Sequence, residues 1–380
     1  MSLRVCHFSS TTLESKYFNT LGSGLIARGL RVFGATLTAP APPQWLPAGH
    51  YLFLDAVSRT AYPAAAIRLA RWLRAQRILV LQTHLFDAGA VGLAAGRLAR
   101  VPLIVSTRHH SDFHFVSKAR AHVLIDAWTA RLADRVVVLA DAVRQHLVTK
   151  ERVPGNKIDV IVQGFDFEAL RGTDADGRRV RAELGLDDAF VVGVVAAFYP
   201  SKGHAHLFGA ARTLLAEIPN LKLLLVGAGD RAVIAQAARA AGLEGRVVAA
   251  GFRFDVAACL RAMDVAVHPS LSEAFCQAII EALAAERPVV ATNVGGAAEA
   301  IVDGEQGFLV PPADADAIAS AIRRLYRDPP LARRLAQAGH NAAIERFSVD
   351  GMVTAQIEVY RRWLSSALIH APQPSEATRV

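Results

Sequence analysis

Two glutamates eight positions apart, Glu273 and Glu281, are the residues of this chain best placed to do chemistry. The apolar run 264–268 predicts a buried strand, and the segment 277–285 predicts a helix. Glu273 therefore lies in the loop at the helix N-terminus, and Glu281 lies about two turns inside the helix. At about 1.5 Å per residue, the two are separated by roughly 12 Å along the helix axis. An acidic cap followed by an ordinary surface glutamate would give the same spacing.

The separation of the two glutamates is close to the length of an extended nucleotide-sugar, measured from hexose to ribose. Glu273 would then bind the sugar hydroxyls, and Glu281 would bind the ribose hydroxyls. Between them, the N–H groups and the dipole of the first helical turn favour a diphosphate. The backbone that would reach the sugar and the phosphates belongs to Phe275, Cys276, Gln277 and Ala278.

Further motifs accompany the glutamates in a fixed order. A short apolar strand ends in a glycine turn at 287–296, and Glu299 follows it. The other motifs lie at 133–138, 163–166, 202–204, 223–230 and 303–312. With its spacings, this set resembles glycosyltransferase family 4, the retaining GT-B glycosyltransferases, in its bacterial type. The resemblance is close over residues 130–350 and looser over residues 1–125.

The resemblance implies an α/β fold of the GT-B type, with two doubly wound Rossmann-like domains facing a central cleft. It implies transfer of a hexose-type sugar from a nucleoside diphosphate, UDP- or GDP-linked, with retention at the anomeric carbon. Such enzymes need no metal ion and no other cofactor. The acceptor would be a carbohydrate or a lipid-linked molecule, in the synthesis of a cell-surface polysaccharide or glycolipid.

Short apolar segments alternate with helical patterns along the chain. Uniformly apolar strands are typical of parallel sheets covered on both faces, and strand–helix alternation predicts doubly wound domains. The predicted strands are 3–8, 77–82, 102–107, 135–139, 157–162, 190–198, 221–226, 246–250, 264–268 and 288–292.

These patterns predict two domains with a polar segment between them. The first, at 1–168, would bind the acceptor, and the second, at 187–346, would bind the nucleotide-sugar. The segment 169–186 is interpreted as a linker. The resemblance implies that a final helix, 347–366, crosses back to the first domain, and the tail 367–380 is predicted to be disordered.

Three residues are predicted to be catalytic: Glu273, Lys202 and His109. Lys202 follows a predicted strand, where its ammonium could stabilise the charge on a departing diphosphate. The family often has an arginine five positions before this lysine, where this chain has Ala197. The resemblance implies that His109, at the end of another strand, faces the donor sugar.

Other polar residues at strand ends are candidates for the acceptor side. His110 would replace His109 if the register slips by one residue, and Asp112 would orient the acceptor. His84 follows a neighbouring strand. Adjacent histidines could also bind a metal ion, but no carboxylate–histidine spacing here supports a metal site.

The first loop departs from the family. A glycine pair is expected there, and this chain has Thr11, Thr12 and Leu13 instead. Without the access of glycine to positive φ, the loop must take another path. Thr12 is the acceptor-side candidate in it.

The segment 227–232 matches Gly-x-Gly-x-x-Ala, a fingerprint that would indicate a nicotinamide oxidoreductase. The next strand ends in Gly251, Phe252 and Arg253 instead of the acid that would hold a ribose. As a tight turn, Gly227 also fits a nucleotide-sugar site, with Arg253 near the base.

Composition narrows the class of protein. A chain of 380 residues with 52% hydrophobic and 20% charged residues can form two domains. No apolar run approaches the roughly 20 residues that span a bilayer, and residues 1–5 begin a strand rather than a signal peptide. Three cysteines, few and odd in number, fit a reducing cytosol.

Positive charge is concentrated in the first half. Residues 1–165 hold 20 Lys and Arg against 9 Asp and Glu, whereas residues 166–380 hold 22 against 25. Arginines also recur every third residue in the predicted helix 64–77, at Arg68, Arg71, Arg74 and Arg77. Such a helix could lie on anionic lipid with its tryptophan at the headgroups, or it could be a solvated face. These features favour a cytoplasmic enzyme at the inner face of the membrane over a nucleic-acid-binding protein.

Three alternatives stay open at this point. A pseudoenzyme that binds a sugar nucleotide without turnover fits Ala197 and the altered first loop. A sugar epimerase of the GT-B architecture and a nicotinamide oxidoreductase are the other two.

Overall fold

A computed structural model of the chain describes residues 2–109 and 120–369. The chain forms two compact units. The first comprises Met1–Gly164 and Val349–Val380, and the second comprises Phe165–Ser348. Within the described residues, no helix is both long and apolar enough to cross a membrane.

The first unit is built on a parallel sheet of seven strands in the order β3-β2-β1-β4-β5-β6-β7. The strands are β1 (Arg4–Ser9), β2 (Arg31–Thr36), β3 (Tyr51–Phe53), β4 (Val80–His84), β5 (Leu103–Arg108), β6 (Arg135–Val138) and β7 (Ile158–Val160). The helices between them are α1 (Lys16–Ala27), α2 (Tyr62–Ala75), α3 (Phe86–Ala99), α4 (Arg120–Leu132) and α5 (Asp141–Thr149). The strand order reverses between β1 and β4, which makes this pair the switch point of a doubly wound sheet.

The second unit repeats this plan with six parallel strands in the order β10-β9-β8-β11-β12-β13. The strands are β8 (Phe190–Val195), β9 (Leu221–Val226), β10 (Val247–Gly251), β11 (Val265–His268), β12 (Val289–Thr292) and β13 (Phe308–Val310). The helices are α6 (Phe167–Arg171), α7 (Asp174–Leu184), α8 (His204–Leu214), α9 (Arg231–Ala240), α10 (Val256–Arg261), α11 (Gln277–Ala284), α12 (Ala297–Ala300), α13 (Ala315–Arg327) and α14 (Pro329–Arg346). Here the order reverses between β8 and β11.

Both sheets are buried because helices cover them. In the first unit, Leu69 and Leu73 of α2 belong to one core cluster with Phe33 of β2 and Leu81 of β4. In the second unit, the core joins α8 and α13 to the central strands. Burial of β8 on both faces explains its continuous apolar run in the sequence, whereas the buried strands β4 and β11 end in polar residues.

The predicted linker 169–186 is wrong, because it forms most of α6 and all of α7. A capping box closes the start of α7: the Thr173 hydroxyl accepts from the N–H of Asp176, and the Asp176 carboxylate accepts from the N–H of Thr173. A Cβ at Gly177 would lie 2.7 Å from the carbonyl oxygen of Arg261, so α7 packs closely on α10. This segment belongs to the second unit.

The last helix, α15 (Val349–Ile369), packs within the first unit. The hydroxyl of Tyr360, which is fully buried, donates to Gln82 of β4. The guanidinium of Arg135 lies 3.5 Å from the ring centroid of Trp363. The chain thus returns to its first sheet after completing the second. The tail beyond residue 369 lies outside the described residues.

Helix α2 does not have the outward apolar face that a lipid-binding helix needs. Leu69 and Leu73 are in the core, and Trp72 packs edge-on against Phe33 with ring centroids 5.9 Å apart. Arg68 donates to the carbonyl of Leu54 at 2.8 Å. Leu69, Trp72 and Leu73 therefore pack towards the core, and this packing favours the solvated face over the membrane contact for α2.

Candidate active site

The predicted donor residues gather at the switch point of the second sheet. Lys202 ends a short 3₁₀ turn, Pro200–Lys202, in the loop after β8, and Glu273 lies in the loop between β11 and α11. Because β8 and β11 are neighbours, their loops leave the sheet side by side at its carboxyl edge. Ligands of doubly wound sheets bind at such a point.

Three side chains contact one carboxylate oxygen of Glu273. Lys202 Nζ lies 2.5 Å from Glu273 Oε1, Ser270 Oγ donates to the same oxygen at 2.9 Å, and His268 Nε2 lies 3.1 Å from it. Thr292 Oγ1 donates to the carbonyl of Ser270 at 2.5 Å and fixes the loop from β12. The side chain of Glu273 is mostly buried, so this ion pair is well shielded from water.

Burial by itself raises the pKa of Glu273, but His268 and Lys202 outweigh it. Their hydrogen bonds and charges lower the pKa of Glu273 from the usual 4.5 to about 2. The carboxylate is therefore ionised at every pH at which the fold is expected to operate. It can accept hydrogen bonds but cannot act as an acid.

Two glycines let the loops around Glu273 approach each other. Gly203 adopts φ +70°, and a Cβ there would lie 1.8 Å from the carbonyl oxygen of Pro269. Gly295 adopts φ +52°, and a Cβ there would lie 1.9 Å from the carbonyl oxygen of Glu273. The loop of Lys202 and the loop after β12 therefore both press on the backbone of the Glu273 loop, where no side chain could fit.

The start of α11 is formed by the predicted donor-binding residues. Cys276 is the N-cap residue in the left-handed region at φ +62°, and its side chain does not cap the helix. Gln277 is exposed and Ala278 is half-buried, so the first turn can meet a ligand. The Phe275 ring is buried and packs parallel to Phe165, with ring centroids 6.1 Å apart, so it anchors the loop from inside.

The remaining donor-side candidates are placed differently. Glu281 lies inside α11 with 6% of its surface exposed, so only a small part of its side chain could contact a ribose. Gly227 begins the turn after β9, and its N–H donates to the carbonyl of Gly251 at 2.9 Å. Arg253 is held by Glu183 and by both oxygens of Asp255, and the first of these contacts raises its pKa. Its charge is therefore compensated within the protein.

Ligand atoms of His268, Glu273 and Cys276 lie within 4.8 Å of one another, a spacing that a metal ion could bridge. The ammonium of Lys202 already contacts the carboxylate in this cluster. Burial also raises the pKa of the Cys276 thiol, which opposes the thiolate that a metal ion would need. The arrangement fits an internal ion pair better than a metal centre.

At the first sheet's switch point, three histidines form a hydrogen-bonded chain. His7 Nδ1 lies 3.0 Å from His84 Nε2, and His84 Nδ1 lies 3.1 Å from His109 Nε2. They come from β1, from β4 and from the residue that follows β5. Burial lowers the pKa of His7 to about 4, and burial with the neighbouring rings keeps the pKa of His84 well below its usual range.

A neutral imidazole has one N–H and one lone pair. In a chain of hydrogen-bonded rings, the tautomer of His7 therefore determines the tautomer of His84, which in turn determines that of His109. His84 has no exposed surface, so it cannot contact an acceptor directly. It could influence an acceptor only through its contact with His109. Thr12 is exposed, and its hydroxyl accepts from the N–H of Glu14 at 2.8 Å. His110 and Asp112 lie outside the described residues.

The sequence did not single out His268, Ser270 or His7. His268 and His7 lie inside apolar strands, where a lone histidine is easily taken for part of the core. A polar residue at the carboxyl end of a buried strand is the signal that could have identified His268 and Ser270, because such ends converge at the switch point.

The family model Glycosyltransferase Family 4 matches residues 15–169, and the model Glycosyl transferases group 1 matches residues 177–342. Anabaena HepE in complex with UDP-glucose superimposes with a TM-score of 0.81 at 22% identity, over 95% of this chain and 99% of that one. The architecture is therefore that of the GT-B glycosyltransferases, as predicted.

Two relatives are close in sequence. D-inositol 3-phosphate glycosyltransferase 2 of Catenulispora acidiphila is 32% identical over 311 residues, 74% of this chain and 70% of that protein. The Escherichia coli UDP-Gal:alpha-D-GlcNAc-diphosphoundecaprenol alpha-1,3-galactosyltransferase is 29% identical over 275 residues, 70% of each chain. The chain belongs to glycosyltransferase family 4, and it is a glycosyltransferase. The oxidoreductase alternative has no support from these matches.

Proposed function

We propose that the chain transfers a hexose from a UDP-sugar to a glycan or lipid-linked acceptor, with retention, in the synthesis of a cell-surface polysaccharide or glycolipid. The observation that carries the proposal is the Lys202–Glu273 ion pair at the switch point between β8 and β11. It places a cation for phosphate and an anion for hydroxyls side by side. The E. coli relative is named for a UDP-sugar donor and a diphospholipid-linked acceptor, and the HepE complex contains UDP-glucose.

The ion pair gives each partner a role when a donor binds. The ammonium of Lys202 would move from the carboxylate to a phosphate oxygen, where it stabilises the charge of the departing diphosphate. Glu273, permanently ionised, would then accept hydrogen bonds from the sugar hydroxyls. Glu281 would bind the ribose, and His109 would orient the sugar with the tautomer set by its histidine chain.

Retention follows from which base is available. With the donor bound, Glu273 keeps Ser270 and His268 as neighbours and accepts the sugar hydroxyls, so the departing diphosphate is the stronger base beside the reacting carbon. The bond between C1 and the phosphate oxygen breaks, and its electron pair remains on that oxygen. The acceptor hydroxyl bonds to C1 from the same face and gives its proton to that phosphate oxygen.

We also propose that the reaction needs no metal ion, since Lys202 supplies the cation. The described cysteines, Cys6, Cys259 and Cys276, are free and buried, which fits a reducing cytosol. A lipid-linked acceptor would bring the enzyme into peripheral contact with the inner face of an anionic membrane. Activity that survives EDTA would support the metal-free reaction, and its loss would oppose it.

Calorimetric titration with UDP, GDP and ADP tests the donor site. We expect UDP to bind and Lys202→Met to weaken the affinity by about tenfold or more, because a cation on the diphosphate is lost. Lys222→Met is the control, since Lys222 lies near the amino end of β9 and donates to Gly185. Equal affinity of all three proteins, or no nucleotide binding at all, would contradict the proposal.

Turnover separates the remaining alternatives. Release of UDP from a UDP-hexose, slow without acceptor, would exclude a pseudoenzyme. Conversion of the sugar's own stereocentre without an acceptor would indicate an epimerase. The anomeric coupling constant in the NMR spectrum of the product reports retention or inversion directly.

A further inference from the structure

Helix α4 exposes apolar side chains to solvent and buries a carboxylate. Leu124, Trp128 and Leu132 are spaced four residues apart on one face and are 62%, 61% and 50% exposed. Asp126, the carboxylate of the same helix, is only 8% exposed. A helix on a globular protein normally buries its apolar face and exposes its charges.

A buried ion-pair network fixes this orientation. Asp126 lies 2.6 Å from Arg108 at the end of β5, and Arg108 also pairs with the buried Glu151. Residues two positions apart point to nearly opposite sides of a helix. With Asp126 held inward, Leu124 and Trp128 must therefore point outward. Rotating the helix to bury them would break the buried pair between Asp126 and Arg108.

The exposed apolar surface includes one more residue of α4 and one residue of α3. Ile125 is 40% exposed, and Leu98 near the end of α3 is 51% exposed. Arg97, the neighbour of Leu98, donates to the carbonyl of Leu132 at 2.8 Å, which places Leu98 beside the end of α4. We call the five residues Leu98, Leu124, Ile125, Trp128 and Leu132 the α4 apolar strip.

Cations surround one end of the α4 apolar strip. Arg97 lies there and pairs with Asp134 at 2.7 Å. Lys157 donates to the carbonyl of Arg131 at 2.7 Å, and Arg131 in turn donates to the carbonyl of Arg152 at 3.3 Å. Residues 1–165, which include this surface, hold 20 basic against 9 acidic residues. An apolar strip with a tryptophan and flanking basic residues matches the headgroup region of an anionic bilayer.

We infer that the α4 apolar strip binds the surface of an anionic lipid bilayer. Trp128 and Leu124 enter the headgroup–acyl boundary, and the cations at the end of α4 meet lipid phosphates. The inference moves the membrane contact from α2, whose apolar face is in the core, to α4. It rests on the membrane contact of the proposed function, but vesicle binding needs neither donor nor acceptor. Vesicle binding and UDP binding can therefore fail separately.

Cosedimentation of the full chain with vesicles tests the inference. The vesicles contain phosphatidylcholine alone, or phosphatidylcholine with about 30% phosphatidylglycerol. We expect binding to the anionic vesicles, weakened by salt of about 0.5 M, and a loss of about tenfold or more in Leu124→Ser/Trp128→Ser. Phe254→Ser is the matched control, because Phe254 is 94% exposed in the second unit. It should bind like the wild type.

Two further measurements make the result unambiguous. Vesicles should shift the tryptophan emission of the wild type to shorter wavelength, and Trp128→Phe should lose that shift while still sedimenting with the vesicles. An unchanged unfolding transition of the first unit in scanning calorimetry shows that the double variant is folded. Equal vesicle binding of the double variant and the wild type would overturn the inference. So would a dimer in analytical ultracentrifugation that the double substitution converts to a monomer, because a second copy would then cover the strip.

Discussion

At the residue scale, the second unit's site is organised around the fixed charge of Glu273. Three groups converge on one of its oxygens, and its pKa is lowered to about 2. Lys202 and Glu273 neutralise each other until a ligand separates them. A diphosphate sugar can do this without leaving an unpaired charge, because it offers an anion to the lysine and hydroxyls to the glutamate.

Glu273→Gln keeps the shape of the side chain and removes its charge. We expect turnover at saturating donor to fall more than about tenfold, because a neutral amide is a weaker acceptor for the sugar hydroxyls and no longer balances Lys202. Initial rates of UDP release at several donor concentrations measure this. Glu244→Gln, an exposed glutamate near the start of β10, is the control. Near-normal turnover of Glu273→Gln would mean that the sugar is bound elsewhere.

The histidine chain makes the first unit sensitive to acid. Burial lowers the pKa of His7 from 6.5 to about 4, so between these values the unfolded chain binds a proton that the folded chain does not. The stability contributed by neutral His7 is complete above pH 6.5 and is lost as the pH falls towards 4. For His7 alone, the loss approaches about 3 kcal/mol.

Urea unfolding at pH 5 and pH 7 measures this dependence. We expect His7→Gln to be less stable at pH 7, where its link to His84 is broken, but to lose less stability on acidification than the wild type. His50→Gln is the control and should retain the acid sensitivity that His7 supplies. An unchanged difference between the two pH values in His7→Gln would show that His7 is not the group responsible.

At the element scale, the sequence predicted the central strands well and the edges poorly. Strands such as β8 and β12 are almost entirely buried and almost entirely apolar, so they are easily recognised. The strands β2, β3 and β13 were not predicted. β3 and β13 have three residues each, and β2 contains Arg31, Gly34 and Thr36, so the local pattern is weak. Their positions are set by pairing with a neighbouring strand.

The sequence also failed to predict the polar helix α7 and the orientation of α4. α7 contains charged residues along most of its length, and its stability comes from a capping box and from the contact between Gly177 and α10. The orientation of α4 depends on the Asp126–Arg108 pair, which joins residues from different elements. Neither interaction is visible in a local window. The Lys202–Glu273 pair was foreseeable as two separate motifs, but their direct contact was not.

At the scale of the whole molecule, each unit carries a distinct part of the proposed chemistry. The histidine chain and the surplus of positive charge belong to the first unit, and the Lys202–Glu273 pair belongs to the second. Each set lies at a switch point, so one folding plan used twice supplies both. The helix α15 follows the second unit in sequence but packs within the first.

This arrangement predicts that Tyr360 stabilises only the first unit. Tyr360→Phe leaves the buried Gln82 oxygen without the hydroxyl that donates to it, which should cost about 1–3 kcal/mol. UDP at 100 times its Kd should stabilise the second unit by about 2.7 kcal/mol. In scanning calorimetry, the unfolding transition that moves to higher temperature with UDP is therefore that of the second unit. Tyr360→Phe should lower the other transition and leave UDP affinity unchanged. Tyr326→Phe in α13, which is partly exposed, should change neither. A loss confined to the UDP-responsive transition would mean that α15 serves the second unit instead.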